Sequence, residues 1–327
     1  MSQSEPGRSN VTRGYTTAMV AAVILSTTAI FIRYLTQTYH LPALVLAFWR
    51  ELFVAITLTI VLACIRPALL KIRRQQLFFL IAYGLVLAAF NGTWTLSVAL
   101  NGASVSTVLA YCSTAFTALL GWLFLKERLN WVKLLAVGLS LGGCVLVSGA
   151  YRAAAWQANL LGIFVGVLSG LCYAAYSLMG RSASQRGLNP WTTLLYAFGF
   201  AAFFLLNINL LAGRFLPGGA SRPADLFWLR DALAGWGILF LLAALPTLAG
   251  YGLYNVSLTY LPSSVANLIV TLEPVYTVIL AYFLFGELLN IVQLAGGLLI
   301  LSGVVLLRLF EGSPPAPALS ELQASPE

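Results

Sequence analysis

Ten apolar stretches, at residues 16–34, 42–64, 77–99, 104–125, 131–149, 160–180, 191–212, 236–260, 263–285 and 291–310, take up about two thirds of the chain. Each is about 18–24 residues long, the length a helix needs to cross roughly 30 Å of hydrocarbon. A segment in lipid must satisfy its own backbone hydrogen bonds, so the expected fold is an all-α membrane protein of ten transmembrane helices. With 60% hydrophobic and 9% charged residues and a mean hydropathy of +0.89, the chain has too little polar surface to coat a water-soluble core. Residues 1–13 read as a polar cytoplasmic tail without a signal-peptide cleavage pattern, and the Pro-, Ala- and Ser-rich residues 311–327 as a disordered tail.

The chain also matches itself. Laying Ser97–Leu146 on Ser257–Leu306 without a gap gives fifteen identities in fifty positions, among them Ser104/Ser264, Thr117/Thr277, Glu127/Glu287, Asn130/Asn290 and Gly143/Gly303. Upstream the offset falls from 160 to 148, aligning Arg33 with Arg181 and Pro42 with Pro190, and the Gly/Pro/Arg-rich run 213–222 accounts for the extra residues. The chain therefore reads as two five-helix repeats, 14–150 and 151–310.

Lysine and arginine orient the spans. With a cytoplasmic N-terminus, the inner segments carry twelve of them, including Arg66, Lys71, Arg73, Arg74, Lys126, Arg128 and Lys133. The outer segments carry five: Arg33, Arg152, Arg214, Arg222 and Arg230. This bias predicts both termini inside. Five spans per repeat is odd, so the second repeat enters the membrane inverted; accordingly the 126–133 loop has three cations and its counterpart 286–293 has none. Inverted repeats of this kind place a binding site near the midplane between the halves.

Three charges fall deep inside apolar stretches, away from their ends: Arg50, Glu51 and Glu273. Each costs roughly 2.5–3.5 kcal/mol at a helix centre, so each is expected to be paired or to face a protein-lined or watery cavity. Pro274 removes a backbone donor and predicts a kink just before Glu273. Glu273 reads either as a carboxyl that binds and releases a proton in a moving helix or as a buried tie between helices. Arg50 and Glu51 are neighbours and point about 100° apart, which keeps both from facing one cavity squarely. Arg50 is then a counter-charge for an anionic solute group or a structural partner of Glu51 or Glu273. Asn91, Asn255 and Asn267 lie in the same interior, with Trp94, Tyr111, Tyr173, Tyr176, Tyr196, Tyr251, Tyr254 and Tyr276 as rings whose polar tips need partners. Gly162, Gly166 and Gly170 make a small-residue ridge, as do Gly138 and Gly142. Glu127 and Glu287 read as caps or gate latches, and Trp131, Trp191 and Trp236 as interface anchors.

The residues Leu-Glu-Pro-Val at 272–275, Phe-Gly-Glu-Leu at 285–288 and Leu-Lys-Glu-Arg-Leu at 125–129, each glutamate followed by a Gly-Gly-rich helix, resemble the EamA-type carriers of the drug/metabolite transporter superfamily over about residues 14–310. The resemblance implies transport of a small polar or amphipathic metabolite or drug across a bacterial cytoplasmic membrane, with spans one to four and six to nine around the cavity. Where such carriers often have a proline in span four this chain has Ser113-Thr114, which leaves the kink expected in one half only. The candidate substrate-binding residues are Arg50, Asn91, Trp94, Tyr111, Tyr176, Tyr251, Asn255 and Asn267, and the candidate proton-coupling or gating residues Glu273 and Pro274.

Enzyme chemistry has no visible seat. His40 is the sole histidine, there is no metal-spaced cluster or phosphate loop, and Cys64, Cys112, Cys144 and Cys172 sit in apolar runs. No cofactor, metal or nucleic acid is expected. The expected partners are a small solute, membrane lipid and, in a driven carrier, protons, with the chain a monomer or homodimer; a channel-like permeation protein without proton coupling is the alternative. A topology reporter placed after Phe310 or within 126–130 is expected to read cytoplasmic and one within 213–222 periplasmic. A cytoplasmic signal from the 213–222 fusion overturns the inverted repeat.

Overall fold

The computed structural model describes residues 6–153, 160–285 and 290–310. The α-helices in chain order are α1 (Pro6–Leu25), α2 (Thr28–Thr38), α3 (Ala43–Ile65), α4 (Arg74–Tyr111), α5 (Ser113–Leu125), α6 (Trp131–Ser148), α7 (Leu160–Gln185), α8 (Pro190–Ala212), α9 (Leu233–Leu242), α10 (Gly250–Tyr260), α11 (Ser263–Val270), α12 (Glu273–Phe285) and α13 (Ile291–Phe310). No strand occurs among the described residues. Among the described residues seven helical runs are long and apolar enough to cross a membrane, and the shorter apolar helices Trp131–Val147 and Ile291–Leu307 accompany them. The expected tail at 311–327 and Glu287 lie outside the described residues. Of the expected N-terminal tail, residues 6–13 are helical and continuous with α1, which starts at Pro6.

Several expected spans are interrupted, and the interruptions have a common chemistry. The run from α1 to α2 breaks at Ser26 and Thr27, whose hydroxyls donate to the carbonyls of Val23 and Ile24 at 2.6 and 2.8 Å. The 236–260 stretch passes through a wider π-helical segment, Ala243–Ala249, around Pro246. Proline has no N–H for the carbonyl of Leu242, and the Thr247 hydroxyl takes it instead at 2.8 Å. The 263–285 stretch is two helices, with the turn at Thr271 and Leu272 as Pro274 requires, and the Thr271 hydroxyl donates to the Leu268 carbonyl at 2.6 Å.

The first repeat breaks at the equivalent place without a proline. Cys112, aligned with Leu272, separates α4 from α5, which corrects the expectation of a kink in one half only. Here the hydroxyls of Thr114 and Thr117 bond back to the carbonyls of Tyr111 and Ser113 at 2.9 and 2.6 Å, a competition that bends helices. The joint expected near 100–103 is helical in backbone. Ser97 Oγ nevertheless lies 2.8 Å from Ser106 Oγ, whereas a straight helix separates such residues by about 13.5 Å along its axis, so α4 turns sharply between them.

Small residues decide which helices touch. A Cβ on Gly166 would lie 2.6 Å from Leu109 Cδ1, and one on Gly170 2.8 Å from the Leu109 carbonyl oxygen, so the α7 ridge holds α4 at backbone distance. α6 pairs with α13 in the same manner: a Cβ on Gly143 would lie 2.6 Å from the Gly296 carbonyl, and one on Gly303 2.8 Å from that of Ala136. The expected Gly138/Gly142 ridge is not this contact. Both glycines face outward with nothing within 4 Å of an added Cβ, because Ala136, Ser140 and Gly143 form the packed face. Trp236 packs edge-on to Trp49 at 4.9 Å between ring centres.

Two clamps join the repeats. At the start of α3, which has no side-chain cap, the Leu44 N–H donates to the Gly218 carbonyl of the 213–222 insertion at 2.8 Å. The Trp49 indole donates to the Leu226 carbonyl at 2.6 Å. At the other clamp the Glu127 carboxylate accepts the N–H and hydroxyl of Ser263 at 2.7 and 2.6 Å and those of Ser264 at 3.3 and 2.6 Å. One repeat thus supplies the carboxylate that caps the first turn of α11 in the other. Lys133 Nζ also reaches Ser264 Oγ at 3.1 Å. Glu127→Ala is expected to lower unfolding stability in detergent by about 1–3 kcal/mol, the cost of orphaned helix-start donors. An unchanged thermal midpoint overturns the cap.

Candidate functional site

The interior charges sit at the meeting of α3, α4, α7, α10 and the α11–α12 break. On α3, Arg50 and Glu51 are both buried and form an ion pair of 3.2 Å between Arg50 Nη2 and Glu51 Oε1. Asn91 of α4 bridges them, its Oδ1 accepting from Arg50 Nη2 and its Nδ2 donating to Glu51 Oε1, each at 2.5 Å. Both long side chains reach the same Asn91, although neighbours on a helix point about 100° apart. Arg50 Nε and Glu51 Oε2 keep no hydrogen-bond partner among the described residues. The pair is thus neutral overall, with one donor and one acceptor of opposite charge to spare.

A second group lies between α4, α7 and α10. Asn255 Nδ2 donates to Tyr176 Oη at 2.7 Å and its Oδ1 accepts from the Tyr83 hydroxyl at 3.1 Å. The Tyr83 and Tyr176 rings stack with centres 4.8 Å apart. A third group joins α5, α11, α7 and α10: Ser113 donates to Asn267 Oδ1 at 3.1 Å, Asn267 Nδ2 to Ser177 Oγ at 3.2 Å, and Ser177 and Tyr254 share a hydrogen bond of 2.6 Å. Glu273 opens α12 just after the break, half-buried, and accepts from the Tyr111 hydroxyl at 2.8 Å. Tyr111 ends α4 at the other break, so the two interruptions face each other through this bond.

The α7 tyrosines connect the groups. Tyr173 stacks on Phe90 at 4.7 Å, lies 6.1 Å from Tyr254, and sits one turn from Tyr176, which meets Tyr251 edge-on at 5.9 Å. Of the residues expected to bind solute, the structure brings Arg50 together with Asn91, Tyr176 with Asn255, and Tyr111 with Glu273. Trp94 and Tyr251 contribute half-buried rings packed against the core. Sequence reading selects neither Tyr83, Ser113 nor Ser177. Only Ser113 leaves a signal, because the repeat alignment sets it against Glu273.

The model of the EamA-like transporter family matches the chain twice, over residues 12–149 and 160–309. The chain belongs to that family. Its two matches coincide with the internal duplication. An uncharacterised transporter of Archaeoglobus fulgidus is 26% identical over 67% of this chain and 74% of its own length. One of Synechocystis sp. is 29% identical over 67% of this chain, the match spanning 63% of that protein. The threonine/homoserine exporter RhtA of Salmonella typhimurium is 26% identical over 72% of each chain. A solved crystal structure superposes with a TM-score of 0.71 at 14% identity, covering 93% of this chain and 99% of the other, a likeness of fold. This family member is a multi-span membrane protein of solute transport.

The Arg50–Glu51 pair makes a sharp prediction about which partner depends on which. Glu51→Leu strands a buried guanidinium and is expected to cost about 3–5 kcal/mol, whereas Arg50→Met/Glu51→Leu removes both charges and is expected to recover most of that loss. Thermal unfolding of the three proteins checks it; a double variant as unstable as the single one overturns the pairing.

Proposed function

We infer that this family member is a secondary carrier of the bacterial inner membrane that exports a small polar or amphipathic metabolite, such as an amino acid or a related compound, by alternating access. Both termini are cytoplasmic in this reading, and the two five-helix repeats are inverted. The observation that carries it is the Tyr111–Glu273 hydrogen bond, 2.8 Å long, joining the helix break of one repeat to that of the other. A carboxyl at such a junction changes surroundings whenever the halves rock, and proton uptake removes its charge from the membrane interior. Glu273 is therefore the proton-coupling group, and Pro274 keeps its helix start fixed.

The solute class follows from the neighbours. Arg50 Nε and Glu51 Oε2 are an unused donor and an unused acceptor of opposite charge, which matches a molecule bearing both a carboxylate and an ammonium group. The rings of Tyr176, Tyr251 and Trp94, with Asn255 and Asn267, supply an amphipathic wall. The name of the Salmonella relative, an exporter of two amino acids, supports the same class and direction.

In proteoliposomes given candidate amino acids in the outer medium, Glu273→Gln is expected to abolish accumulation driven by a pH gradient while leaving substrate exchange largely intact. Gradient-driven accumulation at the unsubstituted level overturns the coupling role. Flux that rises without saturation in the unsubstituted protein points instead to channel-like permeation.

A further inference from the structure

Away from the polar centre, a lateral groove of about 620 Å³ opens between α3, α4 and α8. Its walls include Ala55 and Thr59 of α3, Ile81 of α4, and Gly199, Phe200 and Phe204 of α8. The polar atoms of these walls are already used. The Thr59 hydroxyl donates to its own helix at Ala55, 2.6 Å away, and the Tyr196 hydroxyl donates to the Leu70 carbonyl at 2.7 Å. Nothing lies within 4 Å of a Cβ added at Gly199, so the groove floor is open there. It accepts an apolar chain and offers a polar solute nothing.

One end of the groove is different. Leu70 lines that end and belongs to the short 3-10 helix Pro67–Leu70. The segment from Arg66 to Gln76 around it carries Arg66, Lys71, Arg73 and Arg74, all exposed, and no Asp or Glu. It is held in place, because Thr192 and Tyr196 of α8 donate to the Leu69 and Leu70 carbonyls at 2.8 and 2.7 Å. Arg186, beyond the C-terminal end of α7, adds a fifth cation on this side, its guanidinium 4.7 Å above the Phe79 ring of α4. An apolar slot whose Leu70 end adjoins an anchored backbone segment rich in exposed cations and free of acids matches a molecule with a hydrocarbon chain and an anionic head.

We propose that this groove is a binding site for an anionic diacyl phospholipid, one acyl chain lying along α8 over Gly199 and the phosphate held by Lys71, Arg73 and their neighbours. A zwitterionic lipid fills the groove equally well but brings its own ammonium, which offsets the attraction of its phosphate to the cations; inorganic phosphate matches the cations and leaves the groove empty. The site is independent of which leaflet the cations face and of what the carrier moves.

Native mass spectrometry of the purified full-length protein, titrated with phosphatidylglycerol and with phosphatidylcholine of the same acyl chains, tests it. The first bound phosphatidylglycerol is expected to bind about tenfold more tightly than phosphatidylcholine, as befits two or more cations near one phosphate. Lys71→Gln/Arg73→Gln is expected to erase most of that preference and leave phosphatidylcholine binding unchanged. Gly199→Phe, or Gly199→Leu if the larger residue prevents folding, fills the groove and is expected to weaken both lipids severalfold. Equal affinity for the two lipids overturns the proposal, and so does a lipid affinity indifferent to Gly199 substitution, the mark of a general surface attraction. Displacement of phosphatidylglycerol by an equal concentration of inorganic phosphate overturns it as well, by assigning the cations to a free anion.

Discussion

A backbone carbonyl released inside hydrocarbon has no water to turn to, and this one constraint shapes four of the places where the helices break. The α1–α2 joint, the Cys112 break, the Pro246 segment and the Thr271–Leu272 turn each have a serine or threonine hydroxyl donating to a carbonyl in or just before the interruption. The bends are thereby affordable at membrane depth. Helix starts obey the same rule with different partners. α11 takes the Glu127 carboxylate from the opposite repeat, and α3 takes the Gly218 carbonyl from the long insertion.

Charge is handled by pairing before it is exposed to any solute. Arg50 and Glu51 neutralise each other and are bridged by Asn91, while Glu273 is met by a tyrosine hydroxyl. The distribution is uneven. The ion pair and its bridge lie wholly within the first repeat, whereas Tyr111–Glu273, Ser113–Asn267 and Tyr83–Asn255 all cross between repeats. Bonds of the second kind are the ones that any rocking of the halves must stretch or exchange. They are neutral donors or a single carboxyl, weaker than a buried ion pair and suited to repeated remaking. The small-residue contacts differ in kind too, because α6 against α13 is glycine to backbone on both sides and locks as a unit.

The sequence by itself determined that the chain is helical and built for lipid, that it is a duplication, and that Glu273-Pro274 stands at a helix break. Hydropathy, ungapped identity and the chemistry of proline are local properties, and no tertiary contact is needed to read them. The break at Cys112 was half legible: its hydroxyl residues are in the sequence, but a serine or threonine in a helix bends it only where a neighbour such as Gly170 comes close enough to hold the bent form. Pairings between helices were decided by the tertiary structure alone. Asn91 of α4 meets both Arg50 and Glu51 of α3, Gly143 rather than Gly138 faces α13 because of how the two helices are rotated, and Glu127 finds Ser263 across 136 residues of chain. Rotation about a helix axis turns every side chain while leaving the hydropathy of the span unchanged, so only the packed structure selects which face looks inward.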